Sequence, residues 1–443
     1  MSDLHAELSA RPAPARAGRG RAEILIAVAA FAVLCAVALT VRTAFLFPDE
    51  IAYQASIIAM THGHFLTLSS AQVHAVLEQM ASYDRPPPGV SLRYITGYGQ
   101  WVSLPGGRFI SQKDPGYPFL AAPFQALGII RLAPLFYGAL GCLGLFFGAR
   151  RWLGRFGGAA AVGLFCSSGA ALVFAYSQYM PTFTEASLIA AGTGAMLWAV
   201  LATEASPRRR TWTGLAGFVA IEAAVFCRYT NIVVLGCAVL AVLAAWRLPG
   251  SRLPAAALGW WLGSVAVFGA GVAVFDGLAY GGPLRSGYSH QPGSVEFSLG
   301  AVLPNARYMP MQLVVAMPVL VLGLVALAWI IWRWIRLRRA GAEPAAVPRR
   351  DLAIGLALAA AWFSVWGLYA AYTWTTTFHL PGALFIVDDV RFYVDPIGPI
   401  ALLAAWLVTR VPRRASLALL TTAAVLAVML GLGIWFQLPV PRP

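Results

Sequence analysis

Long apolar runs separated by short polar connections fill most of the chain. A helix needs about 20 residues to cross a bilayer, and eleven runs approach that length: 24–46, 132–149, 157–177, 183–203, 212–227, 231–246, 255–275, 311–332, 352–371, 397–409 and 416–436. The fifth, sixth and tenth are short for a span. The pattern predicts an all-α polytopic membrane protein of about 11 transmembrane helices. One long stretch, 47–131, departs from it and reads as a first outer loop with interfacial helices. Within it a helix is expected from Asp49 to about Met60, ended by His62-Gly63-His64, and a second, preceded by Ser69-Ser70, through Met80. A hairpin over Tyr98–Ile110 turns at Pro105-Gly106-Gly107. Phe119–Ile130 is too short and too bounded by proline to span alone, and is expected to lie in the membrane interface.

Composition sharpens this picture. The 443 residues are 59% hydrophobic and 11% charged, with a mean hydropathy of +0.70, which excludes a soluble multidomain protein. A net charge of +14 would suggest a nucleic-acid partner in a soluble chain. Here the arginines cluster in short connections, at 11–21, 150–155, 208–210, 247–252, 333–350 and 410–414. That is the sidedness of cytoplasmic loops, so no nucleic acid is expected. It makes residues 1–22 a cytoplasmic N-terminal arm, followed by a membrane domain over 23–443. The first run is too long for a signal-peptide core and reads as a retained span. The five cysteines all lie in apolar runs without metal-type spacing.

With that sidedness the chemistry-bearing residues fall on the outer face. Asp49 and Glu50 follow the first run directly and open a helix after Pro48, a place acids also take simply to favour the helix dipole. Successive helical residues point about 100° apart, so one carboxylate can face a substrate while the other faces the protein or a cation. Lys113, the only lysine, closes the loop as either a site residue or a snorkelling anchor. Glu185 opens a span, where its carboxylate must face protein, water or a cation. Arg228 emerges between two short runs, as a phosphate contact or an interface anchor. Gly281–His290 is a turn-rich loop containing Arg285 and Tyr288, and the last outer loop carries Asp388, Asp389 and Arg391. Glu222 alone lies deep within a run.

These pieces, in order, resemble the GT-C glycosyltransferases, in particular the protein O-mannosyltransferase and aminoarabinose-transferase branch. Pro48-Asp49-Glu50 with Tyr53 and Gly63 is similar to that family's first outer-loop signature. Lys113-Asp114-Pro115-Gly116-Tyr117-Pro118 resembles the stretch closing the loop, with Asp114 where proline or tyrosine is common. Glu185 stands at the second outer acid, and Gly282–Tyr288 and Arg391-Phe392-Tyr393 with Pro396 resemble later outer-loop elements.

The resemblance implies a multi-pass protein of the bacterial inner membrane with its active site outside. It would take a polyprenyl-phosphate-sugar donor from among the membrane lipids and glycosylate a hydroxyl of a protein, lipid or glycan acceptor. Asp49 would be the general base. Lys113, Arg228 and Arg391 would hold the donor phosphate, and Tyr53, Tyr117, Arg285 and Tyr288 would line the substrate site. Glu50 and Glu185 would orient the acceptor or hold a divalent metal, the one cofactor this reading admits. A transporter or flippase is the alternative, and it requires ionisable residues at the midplane, broken helices and internal repeats.

Overall fold

The computed structural model describes residues 18–40, 48–83, 100–247, 253–290, 296–341, 346–376, 390–412, 414–422 and 425–426. The apolar runs are helical because hydrocarbon offers backbone amides no other partner. Among the described residues seven helices are long and apolar enough to cross a membrane: Arg21–Thr40, Ile130–Leu153, Thr182–Leu201, Tyr229–Arg247, Ala255–Tyr280, Val319–Arg339 and Val347–Ala370. An eighth span results if Gly157–Cys166 and Gly169–Ala175, bent by 63° at Ser167-Ser168, are taken together. The protein is therefore an all-α polytopic membrane protein, and among the described residues this measure counts fewer spans than the eleven apolar runs.

The difference has physical reasons. Pro207–Cys227 is a helix of 21 residues, but it carries Arg208, Arg209, Arg210 and Glu222. Ile397–Arg410 has only 14 residues and is buried on all sides from Ile397 to Val408. It is a core helix wrapped by others, where a lipid-length run is not required. The run 416–436 lies mostly outside the described residues.

In chain order the helices used below are α1 (Gly18–Thr40), α2 (Pro48–Thr61), α3 (Ser70–Tyr83), α4 (Gly116–Ala126), α5 (Ala133–Leu153), α6 (Gly157–Cys166), α7 (Gly169–Ala175), α8 (Thr182–Leu201) and α9 (Pro207–Cys227). Then come α10 (Ile232–Arg247), α11 (Ala255–Tyr280), α12 (Val302–Ala316), α13 (Val319–Arg339), α14 (Ala346–Ala370) and α15 (Ile397–Arg410). In the middle of the bundle α5 and α8 pack backbone to backbone. A Cβ on Gly141, Gly144 or Gly148 would run into Ser187, Ala191 or Gly194 of α8. Small residues at this spacing let two helices in lipid approach closely.

One end of the bundle is tied by arginine and tryptophan. The indole N–H groups of Trp152 and Trp406 donate to the two oxygens of buried Asp351, at 2.9 and 3.1 Å, and Arg410 lies 3.3 Å from the same carboxylate. Arg151 donates to the Leu201 carbonyl at 3.1 Å, and Arg150 approaches Glu23 at 3.7 Å. The opposite helix ends meet the connection between α1 and α5. There α2 buries Ile51, Ala52, Ala55, Ile58 and Ala59 against Leu68, Val73, Val76, Met80 and Trp101.

The hairpin is present as β2 (Trp101–Leu104) and β3 (Arg108–Ser111), with β1 (Leu68–Ser69) pairing antiparallel on the other side of β3. Gly106 and Gly107 make the turn at φ of 81° and 68°, a conformation disfavoured for residues with a Cβ. This small sheet adds a β element to a fold otherwise helical.

Candidate active site

The first turn of α2 separates its two acids. Asp49 turns outward from the fold of its own segment, and Lys113 Nζ lies 3.0 Å from one oxygen while Arg391 Nη1 lies 3.3 Å from the other. Glu50 is buried and accepts a hydrogen bond from the Ser177 hydroxyl in the connection between α7 and α8. The adjacent carboxylates thus have different surroundings: one gathers cations, the other joins α2 to the bundle. Tyr53, one turn beyond Asp49, packs edge-on against Tyr117 with ring centroids 6.0 Å apart. The Tyr117 hydroxyl donates to the Gln178 carbonyl, next to the residue that Glu50 holds.

Lys113 is placed by the end of β3 and the start of α4. Its backbone N–H donates to the Ser111 hydroxyl at 3.1 Å, and its ammonium donates to the Tyr288 hydroxyl at 3.2 Å. Tyr288 reaches it because Gly287 lies against the backbone of Gln112 with no room for a Cβ. Arg391 is buried with its guanidinium 4.7 Å from the Phe392 ring centroid, which restricts it to the direction of Asp49.

Arg228 belongs to a second, deeper set. Its Nε lies 3.2 Å from Glu185 and its Nη1 3.4 Å from Asp395, both acids being fully buried. Nη1 also approaches the Arg391 carbonyl at 3.5 Å, so the two sets share a wall. A buried ion pair persists only where partners compensate the loss of water, and here three charged groups from three segments do so.

The structure therefore brings Asp49, Lys113, Arg391 and Tyr288 together, places Tyr53 and Tyr117 beside them, and groups Arg228 with Glu185. Arg285 is exposed, its stem beside Gly282, and is not drawn into either set. Asp388 and Asp389 lie outside the described residues. Asp395 and Ser177 were not singled out from the sequence. Asp395 carries the same signal as Glu185, an acid at the mouth of a helix, whereas a lone serine such as Ser177 carries none.

Electrostatics distinguish Asp49 from its neighbours. Burial alone would raise the Asp49 carboxyl, but Lys113 and then Arg391 outweigh it and hold the group down at about 2. Asp114, next to Lys113 in sequence, is pushed the other way, to about 7, because burial outweighs the Tyr229 amide and the cations around it. Burial likewise raises Tyr288, which keeps its hydroxyl protonated.

Among the described residues no three His, Cys, Asp or Glu side chains converge; Glu50 is engaged by Ser177 and Glu185 by Arg228. His62 Nδ1 bonds the Ile58 carbonyl at 2.9 Å and His64 sits beside the Gln72 amide, so both finish the α2 segment. Beside Lys113 opens a small cleft lined by Ser56, His64, Phe65, Trp101, Phe275 and Tyr280.

The helical architecture is that of a multi-pass membrane protein with a GT-C-like fold. It is similar to the crystal structure of the Archaeoglobus fulgidus oligosaccharyltransferase in complex with Zn and sulfate, with a TM-score of 0.51 and 13% identity over 93% of this chain and 54% of that one. It also aligns with ArnT from Cupriavidus metallidurans bound to undecaprenyl phosphate, with a TM-score of 0.47 and 16% identity over 94% of this chain and 64% of that one. The chain spans less than two thirds of the length of either. At such identities the likeness is one of fold. No family model and no curated protein sequence matches the chain.

Proposed function

We propose that this protein is a membrane glycosyltransferase that moves a sugar from a polyprenyl-phosphate-linked donor to an acceptor hydroxyl. The observation that carries the reading is the convergence of two cations on one carboxylate, Lys113 and Arg391 on Asp49, at the bundle end remote from the arginine clusters. In the reaction the acceptor oxygen bonds to the anomeric carbon, the bond from that carbon to phosphate oxygen breaks, and the hydroxyl proton passes to Asp49. The departing polyprenyl phosphate keeps the electron pair and needs fixed positive charge, which Lys113 and Arg391 supply. Without donor the same cations hold Asp49 at about 2, too acidic to take a proton readily. A donor phosphate that draws Lys113 and Arg391 toward itself relieves this depression, so the base gains strength once its donor is in place.

Arg228 and Glu185 support the site from below by fixing the Arg391 segment, and Tyr53, Tyr117 and Tyr288 line it. The sidedness of the arginines favours a site on the outer face of a bacterial inner membrane, with protein, lipid or glycan acceptors. The bend between α6 and α7 is a feature that a transporter would share. Against that reading, the ionisable cluster stands at the ends of the helices, and the deep acid Glu222 accepts a hydrogen bond from Ser264 at 2.9 Å. Mass spectrometry of envelope glycans and lipid-linked sugars from cells with and without the gene tests the proposal. Loss of one glycan with accumulation of its lipid-linked sugar is expected; unchanged profiles of both would overturn it.

A further inference from the structure

Asp114 takes no part in the chemistry above, yet it sits where the two halves of the site are joined. Its carboxylate is buried and accepts the backbone N–H of Tyr229 at 3.3 Å. Asp114 thereby clips the loop carrying Lys113 to the turn carrying Arg228. The clip is reinforced by close packing: Gly116, two residues on, lies against the backbone of Phe226 and Cys227 with no room for a Cβ. The Tyr229 hydroxyl in turn donates to Asp276 of α11 at 2.8 Å. A negative charge is thus fixed beside Lys113, one of the two cations that would meet a donor phosphate.

Resting on the transferase reading, we propose that Asp114 is a positioning residue that holds the Lys113 loop on the Arg228 turn and makes donor binding proton-linked. Ionised, it opposes the incoming anion; protonated, it no longer does. The group titrates near neutrality because burial pushes it up to about 7. The charges that face it are the cations Lys113 and Arg228 and the acids Asp276 and Glu185. Around these stand Tyr53, Tyr229, Tyr280, Tyr288 and Cys227. A bound anion raises the Asp114 affinity for a proton, and by linkage protonation raises affinity for the anion by the same factor. A one-unit displacement of the titration corresponds to about tenfold in binding.

The test measures binding of a short-chain polyprenyl-phosphoryl-hexose to the full-length detergent-solubilised protein between about pH 5.5 and 8.5. A phosphodiester keeps one negative charge across this range, so the probe itself does not titrate. Affinity of the unmodified protein should fall by about tenfold as pH rises through 7. Asp114→Asn, whose amide oxygen can still accept the Tyr229 N–H, should bind tightly at every pH. Asp114→Ala, which loses both charge and clip, should bind weakly and without pH dependence. A flat profile in the unmodified protein, or an unchanged slope in Asp114→Asn, overturns the proposal. Lys113→Ala, run alongside, separates the two levels. If it binds the probe as the unmodified protein does, or if nothing binds, the donor reading fails and takes this proposal with it. If it loses binding while Asp114→Asn keeps the slope, only the role of Asp114 falls.

Discussion

Replacing Asp49 by asparagine should separate catalysis from donor binding, in opposite directions. Asparagine keeps the size and polarity of the side chain but cannot accept the acceptor's proton, and loss of a general base typically costs about 10²- to 10⁴-fold in turnover. Donor binding should improve, because Asp49 competes with the phosphate for Lys113 and Arg391. A lower bound on that competition follows from the carboxyl's net displacement from 3.8 to about 2, because burial works against the cations. At about 1.4 kcal/mol per pH unit this is on the order of 2.5 kcal/mol. The Asp49 side chain is only 15% exposed, so screening by water removes little of it. Part of this is recovered by residual interaction of the asparagine with both cations, so a tightening of about 5- to 50-fold is expected. The assay is transfer of a radiolabelled sugar from a polyprenyl-phosphate donor in proteoliposomes, with donor affinity measured separately on purified protein. Unchanged turnover would remove Asp49 from the role of base. Weaker donor binding would show that Asp49 helps to hold the donor and does not compete with it.

Lys113→Ala should lower transfer by about 10²-fold, the loss of one charge-stabilising donor, and Lys113→Arg should recover part of it with altered geometry; full activity of a folded alanine variant would leave Lys113 an anchor. Arg228→Met should destabilise by about 3–5 kcal/mol, since it leaves Glu185 and Asp395 buried without their cation. Thermal unfolding in detergent reads this, and Arg228→Met combined with Glu185→Gln should recover part of the loss; no destabilisation would mean that the three groups are not a coupled set. Cysteines placed at Ser82 and Ser206 should be labelled from the outer side at Ser82 only. The reverse pattern would undo the outward assignment of the site.

Much of this molecule was written locally. The spacing of apolar runs sets where helices form, because lipid leaves the backbone only internal partners. Turn residues set the hairpin at Pro105-Gly106-Gly107, and Pro48 with two acids set the start of α2. The arginine clusters and the acids also separated by helix end in the sequence alone, since each span carries the chain from one end of the bundle to the other. What the sequence could not decide is which charge meets which. Lys113, Arg391 and Arg228 looked equivalent as candidate phosphate contacts, but only Lys113 and Arg391 meet on Asp49, while Arg228 is enclosed by Glu185 and Asp395. Arg285, which the resemblance would place along the substrate site, is exposed and joins neither set. These pairings join segments far apart in the chain, and their distances depend on close backbone packing at Gly116 and Gly287. The short apolar run at 397–409 shows the same limit from the side of the core. Apolarity requires that it be out of water, but only its neighbours determine that it lies in the middle of the bundle and not in lipid.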